Sequence, residues 1–319
     1  MTLAPELVDR FRTDLARIWP QAESSDARLG LAVSGGSDSL ALLLLAHAIL
    51  PDRIAVATVD HGLREESVAE AASVAQLCAG MGVPHEVLTV SVDAGNVQDR
   101  ARAARYEALA AWCRRHELGA LATAHQLDDQ VETLVMRLNR GSGLAGLAGV
   151  RARGVLQNPD LLVLRPLLGW RRSELAEVVA SARIEAAHDP SNEDGRFDRI
   201  RVRRALADAD WLDPVRLARS AALLGEAEAY LTERIDSAFE SRVALTEGEA
   251  RLTPGQSDFE ALELAGRIIA HFGGTAARSD LAALVARLRR GENASLCGVL
   301  VQDVGGDWVF ALEPPRRTG

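Results

Sequence analysis

The residues best suited to chemistry form a hexapeptide, Ser34-Gly35-Gly36-Ser37-Asp38-Ser39, between an apolar segment and a leucine-rich one. A glycine-rich turn between a strand and a helix gathers backbone N–H groups and the positive end of the helix dipole around one point. Glycines let the backbone approach a phosphate, and serine hydroxyls add donors. Because the Asp38 carboxylate repels phosphates unless a divalent cation intervenes, the hexapeptide predicts a site for a polyphosphate and its metal. An ordinary glycine-serine turn is the alternative.

Lysine is absent from the chain, so all 36 residues counted as lysine or arginine are arginine. The phosphate loop of kinases and GTPases needs a lysine after its second glycine, and Schiff-base catalysis needs a lysine nucleophile. The composition excludes both. Arginine, a metal ion and backbone amides must therefore neutralise the anion that the hexapeptide binds.

A second group of chemically capable residues lies in the segment Thr123–Thr133. Asp128 and Glu132 are four residues apart, and Asp129 and Glu132 are three apart, so these acids share a helix face. Acids in the first turns of a helix complement its dipole, which is one interpretation. Close to a phosphate site they also suit Mg²⁺ ligation, binding of an amine, or general-base catalysis on an amine.

The elements that must position these residues alternate along the first half of the chain. The predicted strands are Arg28–Ser34, Ile54–Asp60, Glu86–Val92 and Ala120–Ala124, and the helices that follow them are Asp38–Ile49, Glu65–Met81, Val97–Glu117 and Gln126–Arg140. This alternation predicts an α/β fold, with a parallel sheet covered by helices on both faces. Ligands bind at the carboxyl ends of such strands, so Ser34–Ser39, Asp60-His61-Gly62 and His125–Asp129 should lie along one edge.

The second half of the chain predicts a smaller, mainly helical α+β domain. Further elements are expected in the order strand Leu161–Leu168, helix Arg172–Ser181, long helical region Val202–Ser241, helices Phe259–His271 and Arg278–Arg290, and strands Ser295–Asp303 and Trp308–Leu312. The last two strands flank Gly305-Gly306, a strong signal for a hairpin. We therefore expect a nucleotide-binding domain over residues 1–215 and a helical linker with a small substrate domain over 216–319.

Charge is unevenly distributed in a chain whose net charge is −9. The stretch Arg196–Arg204 holds five arginines and one acid, and smaller clusters occur elsewhere. Each cluster alone is typical of a solvated helix face, but several clusters in the part that carries a phosphate site favour a nucleic-acid partner. No apolar run is long enough to span a bilayer, the N-terminal segment lacks a signal-peptide pattern, and the three cysteines form no C-x-x-C pair. We therefore expect a cytoplasmic protein with reduced cysteines.

Seven motifs occur in the order seen in tRNA(Ile)-lysidine synthetases, a family of PP-loop ATP pyrophosphatases. They are SGGSDS (34–39), VDHGLR (59–64), RAARY (102–106), TAHQLDDQVET (123–133), RGSGLAGL (140–147), RPLL (165–168) and DPSN (189–192). The resemblance covers about residues 25–205 densely. The sequence departs from the family at Gln126, where a second histidine is frequent, at Ile200, often an asparagine, and at Phe197, near a common tyrosine. The first departure argues against a two-histidine metal site.

This resemblance implies a carbon–nitrogen ligase that joins free L-lysine to the wobble cytidine of an isoleucine tRNA with a CAU anticodon. The carbonyl oxygen of the cytidine would attack the α-phosphorus of ATP, Mg-pyrophosphate would leave, and the lysine amine would then displace AMP. The alternative is another adenylating PP-loop enzyme, such as a tRNA thiolase or an NAD synthetase-like amidating ligase. The corresponding loop of cytidine thiolases resembles SGGKDS and is accompanied by C-x-x-C cysteine pairs. This chain has Ser37 at the lysine position and no such pair.

The resemblance also implies roles for individual residues. ATP is expected to contact Ser34, Gly35, Gly36, Ser37, Asp38, Ser39, Asp60 and His61. The expected catalytic residues are Asp38, Asp128, Asp129 and Glu132, of which Asp38 and Asp128 would bind Mg²⁺. The expected tRNA contacts are Arg102, Arg105, Arg201 and Arg203. A homodimer is a further expectation.

Overall fold

The computed structural model describes residues 3–24, 26–60, 66–90, 97–157, 160–187 and 198–313. The chain divides into two compact units, Met1–Gly225 and Glu226–Gly319, and each is described by itself. His61, the DPSN segment and Phe197 lie outside the described residues, so the predictions that involve them stay predictions.

A six-stranded sheet lies at the centre of the first unit. Its strand order is β3-β2-β1-β4-β6-β5, in which β5 is antiparallel to β6 and the other neighbouring pairs are parallel. The strands are β1 (Leu29–Ala32), β2 (Ile54–Asp60), β3 (His85–Thr89), β4 (Ala120–Ala122), β5 (Arg153–Gln157) and β6 (Asp160–Leu164). The predicted parallel sheet is confirmed, and β5 adds an edge strand that the sequence analysis missed.

The helices described in the first unit agree with the predicted alternation. They are α1 (Pro5–Ile18), α2 (Ser37–Ile49), α3 (Glu66–Met81), α4 (Val97–Arg115), α5 (Leu127–Asn139), the single turn α6 (Leu144–Leu147), α7 (Arg172–Ser181) and α8 (Asp198–Ala207), and α9 (Pro214–Arg242) begins here. The expected helical region Val202–Ser241 consists of two helices, α8 and α9, with a break between Ala207 and Pro214. Pro214 starts α9, since a proline fits the first turn of a helix, and the Asp213 carboxylate accepts hydrogen bonds from the next two backbone amides.

Helices cover both faces of this sheet, and each face has its own apolar core. Successive side chains of a strand point to opposite faces, so Ile54 and Val56 of β2 pack with α1, α2, α3 and α7, whereas Ala55 and Ala57 pack with α4. Gly30 allows α4 to pack closely against β1, because a Cβ there would lie 2.8 Å from the Trp112 ring of α4. Burial on both faces fixes the register of the parallel strands and hence the positions of their carboxyl ends.

The order of the strands reverses at β1, which pairs with β2 on one side and β4 on the other. This reversal is where open α/β sheets form a crevice for ligands. The segments that follow β1, β4 and β6 lead to the loop Ser34–Ser39, to α5 and to α7. A backbone hydrogen bond of 2.9 Å from Leu127 to Trp170 ties the starts of α5 and α7 together at this edge.

The second unit contains a five-stranded antiparallel sheet in the order β7-β8-β11-β10-β9. Its strands are β7 (Val243–Leu245), β8 (Glu249–Leu252), β9 (Ala294–Leu296), β10 (Val299–Val304) and β11 (Asp307–Leu312). Helices α10 (Asp258–His271) and α11 (Arg278–Leu288) pack with it around a separate apolar core. The α+β class is confirmed, although the sheet is larger than the single hairpin that the sequence predicts.

The predicted hairpin at Gly305-Gly306 is confirmed, and a second hairpin divides its first strand. Both glycines have positive φ, and β10 and β11 pair across them. The expected strand Ser295–Asp303 is instead two strands, because Cys297 (φ 52°) and Gly298 (φ 76°) form a turn between β9 and β10. Positive φ is uncommon for a cysteine, so the sequence carried only half of the usual turn signal.

Candidate active site

The loop Ser34–Ser39 joins β1 to α2, and hydrogen bonds of the Ser39 hydroxyl to other residues of the loop stabilise it. The Ser39 hydroxyl donates to the carbonyl oxygen of Gly36 at 2.8 Å and accepts from the backbone N–H of Ser34 at 3.2 Å. Gly35 has a φ of +92°, which a side chain rarely allows, and its carbonyl accepts from the Ala187 amide at 3.0 Å. Gly36 is the N-cap of α2 and supplies no side-chain cap, so the first-turn amides suit a bound anion.

Asp38 lies in the first turn of α2, with about a quarter of its side chain exposed. Burial raises the pKa of this carboxyl to about 6; among its charged neighbours, Arg172 lowers the pKa and Asp129 raises it. The Arg172 guanidinium is 3.9 Å away, too far for a hydrogen bond. A partly desolvated carboxylate that no cation of the described residues contacts at hydrogen-bond distance, beside an anion-binding loop, is a suitable oxygen ligand for Mg²⁺.

Helix α5 begins at a capping box centred on Gln126. The Gln126 side-chain oxygen accepts from the Asp128 backbone N–H at 2.5 Å, and the Asp129 carboxylate accepts from the Gln126 backbone N–H at 3.1 Å. Gln126 is fully buried. The residue that departs from the family pattern therefore caps the helix that carries the acids.

Glu132, only 2% exposed, is the most buried acid of α5, and two arginines of α8 bind it directly. Arg199 Nε donates to one of its carboxylate oxygens at 2.6 Å and Arg203 Nε to the other at 2.7 Å. Burial alone would raise the pKa of Glu132, but the hydrogen bonds from Arg203 and Arg199 hold it below its usual value. Glu132 is therefore ionised, and the two α8 arginines balance its negative charge.

The negative charge of Asp129 is balanced less completely by neighbouring arginines than that of Glu132. It receives a 3.0 Å contact from Arg199 Nη2, and Arg172 Nη2 lies 3.7 Å away. Burial raises its pKa, and the charge of Arg199 only partly offsets this. Of these two acids, the half-buried Asp129 is thus the better proton acceptor.

Arg172, at the start of α7, links the hexapeptide to the acids. Its guanidinium is 3.5 Å from Glu132, 3.7 Å from Asp129 and 3.9 Å from Asp38. Its backbone N–H donates to Asp128 Oδ2 at 2.9 Å, and the other oxygen of Asp128 is 3.4 Å from Arg171 Nε. Asp128 therefore caps α7, a use that competes with the predicted metal ligation.

Three arginines of the site were not expected there from the sequence: Arg171, Arg172 and Arg199. Arg171 and Arg172 form an arginine pair close behind the RPLL motif, and Arg199 lies in the arginine-rich stretch. For Arg171 and Arg172, the available signal was their position shortly after a predicted strand; for Arg199, it was the density of arginines around it. Among the described residues, no cluster of three or more His, Cys, Asp or Glu side chains is arranged to hold a metal ion.

The predicted tRNA contacts fall in three different environments. Arg102 and Arg105 of α4 lie near the Tyr106 ring, with guanidinium carbons 5.1 and 5.4 Å from its centroid. Arg201 is 73% exposed and lies 3.7 Å from Asp198. Arg203, in contrast, is bound to Glu132 within the site.

His125, at the carboxyl end of β4, is held neutral. Its Nδ1 atom is 2.9 Å from the Thr123 hydroxyl. Burial, followed by the charges of Arg165, Arg102, Arg105 and Arg199, lowers the pKa of His125 to about 3. Positive charge from four arginines thus acts on His125, as expected of a pocket that accepts an anion. Asp60 ends β2 along the same sheet.

Replacing His125 should reduce the sensitivity of the first unit to acid. The folded state keeps this imidazole neutral, whereas the unfolded chain binds a proton below about pH 6.5. Its contribution to the free energy of unfolding is therefore complete above pH 6.5 and decreases by up to about 1.4 kcal/mol per pH unit toward pH 3. Urea unfolding of His125→Gln between pH 7 and pH 4 should show a shallower decrease than the parent. Parallel curves would contradict this expectation, and His271→Gln in α10 is the control.

The fold and the loop define the class of protein: a PP-loop ATP-binding protein. The family profile of the PP-loop domain matches residues 8–209. Among solved structures, the U34-tRNA thiolase NcsA from Methanococcus maripaludis with its [4Fe-4S] cluster is similar in fold, with a TM-score of 0.58 at 16% identity. The similarity covers 69% of this chain and 78% of that one.

Two relatives define the family more closely. The tRNA(Ile)-lysidine synthase of Novosphingobium aromaticivorans is 46% identical over 97% of this chain and 94% of its own length. That of Zymomonas mobilis is 40% identical over 91% of this chain and 90% of its own length. The chain therefore belongs to the tRNA(Ile)-lysidine synthase family, whose members are ligases. The described helices include none that is both long and apolar enough to cross a membrane.

Proposed function

We propose that this enzyme joins free L-lysine to the wobble cytidine of an isoleucine tRNA with a CAU anticodon, using ATP. The observation that carries the proposal is the position of Arg172, which approaches both Asp38 beside the hexapeptide and the acids of α5. A triphosphate site and an amine site thus adjoin at one sheet edge, as a reaction that activates a base and then adds an amine requires.

In the first step, the cytidine carbonyl oxygen would attack the α-phosphorus of ATP while pyrophosphate leaves. The uncapped amides at the start of α2 would bind the phosphates and stabilise the negative charge that develops on the leaving group. Mg²⁺, held by Asp38, would neutralise further charge on the phosphate oxygens. Arg102 and Arg105 would contact tRNA phosphates next to an unstacked base, with His125 remaining neutral beside it.

In the second step, the amine of lysine would displace AMP from the activated cytidine. The incoming ammonium must lose a proton before its nitrogen can attack. Asp129 is the acid we assign to accept it, because burial raises the pKa of Asp129 and Arg199 compensates it only partly. Glu132 would stay ionised and hold Arg199 and Arg203 in place. Asp128 would orient α7 through the Arg172 amide.

Labelled lysine gives a direct test of the whole reaction. The purified protein should attach it to isoleucine tRNA with a CAU anticodon, in the presence of Mg²⁺, and release AMP and pyrophosphate. Methionine tRNA with the same anticodon is the comparison that measures specificity. Exchange of pyrophosphate into ATP without tRNA would mean that another acceptor is adenylated, and the proposal would then fail. We further propose a cytoplasmic enzyme and a homodimer; sedimentation of the purified protein tests the latter.

The two α8 arginines proposed for tRNA should respond differently to truncation. Arg201 is exposed, so Arg201→Ala should weaken tRNA binding and leave the free energy of unfolding unchanged. The slope of log binding constant against log salt concentration should become less steep by the amount that about one phosphate contact contributes. Arg203→Ala removes a charged hydrogen bond from buried Glu132 and should lower the free energy of unfolding by about 1–3 kcal/mol. Filter binding at several salt concentrations and urea unfolding measure both effects. Equal loss of stability in the two variants would contradict the assignment.

A further inference from the structure

Gln126 has a hydrogen-bonding group that the helix cap does not use. Its side-chain oxygen is occupied by the Asp128 amide, and its backbone N–H is occupied by Asp129. The side-chain nitrogen Nε2 is buried and makes no hydrogen bond with any of the described residues. A buried donor without a partner is costly, and in native structures it calls for a specific explanation.

The cap restricts where this donor can point. With its oxygen fixed at the start of α5, a fully buried amide has little freedom to turn, so Nε2 must face away from the helix end. The group on that side is Asp38: Gln126 is close enough to lower the pKa of the Asp38 carboxyl, although the two side chains make no hydrogen bond in this structure. The Arg172 guanidinium is the cation that faces the same carboxylate among the described residues, and it remains 3.9 Å away. Gln126 is therefore the neutral donor placed next to Asp38.

We propose that Gln126 is a positioning residue that orients the Asp38 carboxylate for ATP·Mg²⁺ through its side-chain N–H. One oxygen of Asp38 would receive the amide hydrogen, leaving the other to face the metal and the phosphates. An amide does this without changing its charge over the working pH range, whereas a histidine at position 126 would titrate. This inference rests on the proposed role of Asp38 as the Mg²⁺ ligand.

Two substitutions separate the donor from the cap. Gln126→Asn keeps an amide and is a favourable N-cap, but its nitrogen is one methylene short of Asp38. Gln126→Met keeps the length and removes both polar atoms. Ser257→Ala is the matched control, since the Ser257 hydroxyl caps α10 in the second unit through the Glu260 amide. Loss of a cap alone should therefore lower stability in the control without affecting ATP.

Equilibrium dialysis of ATP, with and without Mg²⁺, measures the effect independently of catalysis. We expect Gln126→Asn and Gln126→Met to weaken binding of ATP·Mg²⁺ about tenfold, with metal-free ATP changed less than about threefold. The double variant Gln126→Asn/Asp38→Asn should bind no more weakly than Asp38→Asn alone, because the two residues act together.

The other outcomes each have a definite meaning. If both Gln126 variants bind ATP·Mg²⁺ like the parent while Asp38→Asn binds it weakly, Gln126 does not position Asp38 and the inference is wrong. If Gln126→Asn weakens binding but Asp38→Asn does not, Gln126 contacts the nucleotide directly, which also overturns the inference. If the losses of the two single variants add in the double variant, the residues act independently. Parent-like binding by Asp38→Asn would in addition remove the proposed metal role.

Discussion

Glu132→Gln is expected to reduce lysine attachment about 100-fold or more and to lower the free energy of unfolding by about 3 kcal/mol. The carboxylate of Glu132 accepts from Arg199 and Arg203 at 2.6 and 2.7 Å, and Arg172 lies 3.5 Å away. An amide in its place directs N–H donors at a guanidinium and leaves the arginine charges without their buried partner. The arginines are partly exposed, which places the expected loss at the lower end for broken buried ion pairs.

The matched control for this variant is Asp198→Asn. Asp198 also pairs with two arginines, Arg140 at 3.2 Å and Arg201 at 3.7 Å, but its side chain is 61% exposed. Such surface pairs contribute at most about 1 kcal/mol, so the control should retain both stability and activity. Urea unfolding and the rate of lysine attachment measure the two effects. Equal stability of Glu132→Gln and the parent would show that the arginines do not depend on this carboxylate.

Asp38→Asn should lower kcat/KM for ATP·Mg²⁺ by about 100- to 1,000-fold while leaving the fold intact. The asparagine keeps the size of the side chain but loses the negative charge that would bind the metal. Because burial raises the pKa of Asp38 to about 6, the folded protein binds this proton more tightly than the unfolded chain. Ionisation of Asp38 therefore reduces stability as the pH rises from about 4 to above 6. Above pH 6 without nucleotide, Asp38→Asn should consequently be as stable as the parent or more so.

Asp280→Asn provides a close control for this experiment. Asp280 lies in the first turn of α11, after a serine whose hydroxyl is 3.4 Å from its carboxylate, as Ser37 is 3.5 Å from that of Asp38. It lies outside the site, so activity should not change. The measurements are steady-state rates at several Mg²⁺ concentrations and thermal unfolding. Full activity of Asp38→Asn at the Mg²⁺ concentration that saturates the parent would exclude the metal role.

The elements that position the site follow from local patterns in the sequence. The β-branched run Ile54–Asp60 is a strand with those bounds, and Arg172–Ser181 is a helix with those bounds. Alternation of such runs predicts parallel strands, and the geometry of a parallel sheet then places the segments after β1 and β4 at one edge. These inferences hold because they depend on periodicity and chain order, which the sequence displays directly.

The partners of the acids could not be predicted in the same way. Whether Arg199 or Arg201 turns toward Glu132 depends on the rotation of α8 about its axis, which packing against α5 decides. The tRNA contact expected of Arg203 therefore stays a prediction, whereas the hydrogen bond of Arg203 to Glu132 was not foreseen. The short strands β5, β7 and β8 were missed for a related reason, since short strands acquire their conformation from the neighbours they pair with.

The pairing of Glu132 with arginines far along the chain has a consequence for folding. The two hydrogen bonds from Arg199 and Arg203 span 67 and 71 residues, so they form only when a long segment has already been closed. Closing that segment costs conformational entropy before the hydrogen bonds can stabilise the structure. The site is therefore expected to form late in folding. During synthesis, the hexapeptide and the acids of α5 leave the ribosome well before their arginines. A chain that stops short of α8 would therefore hold an acidic helix without its counter-charges, and we expect its nucleotide affinity to appear only after α8 has been added.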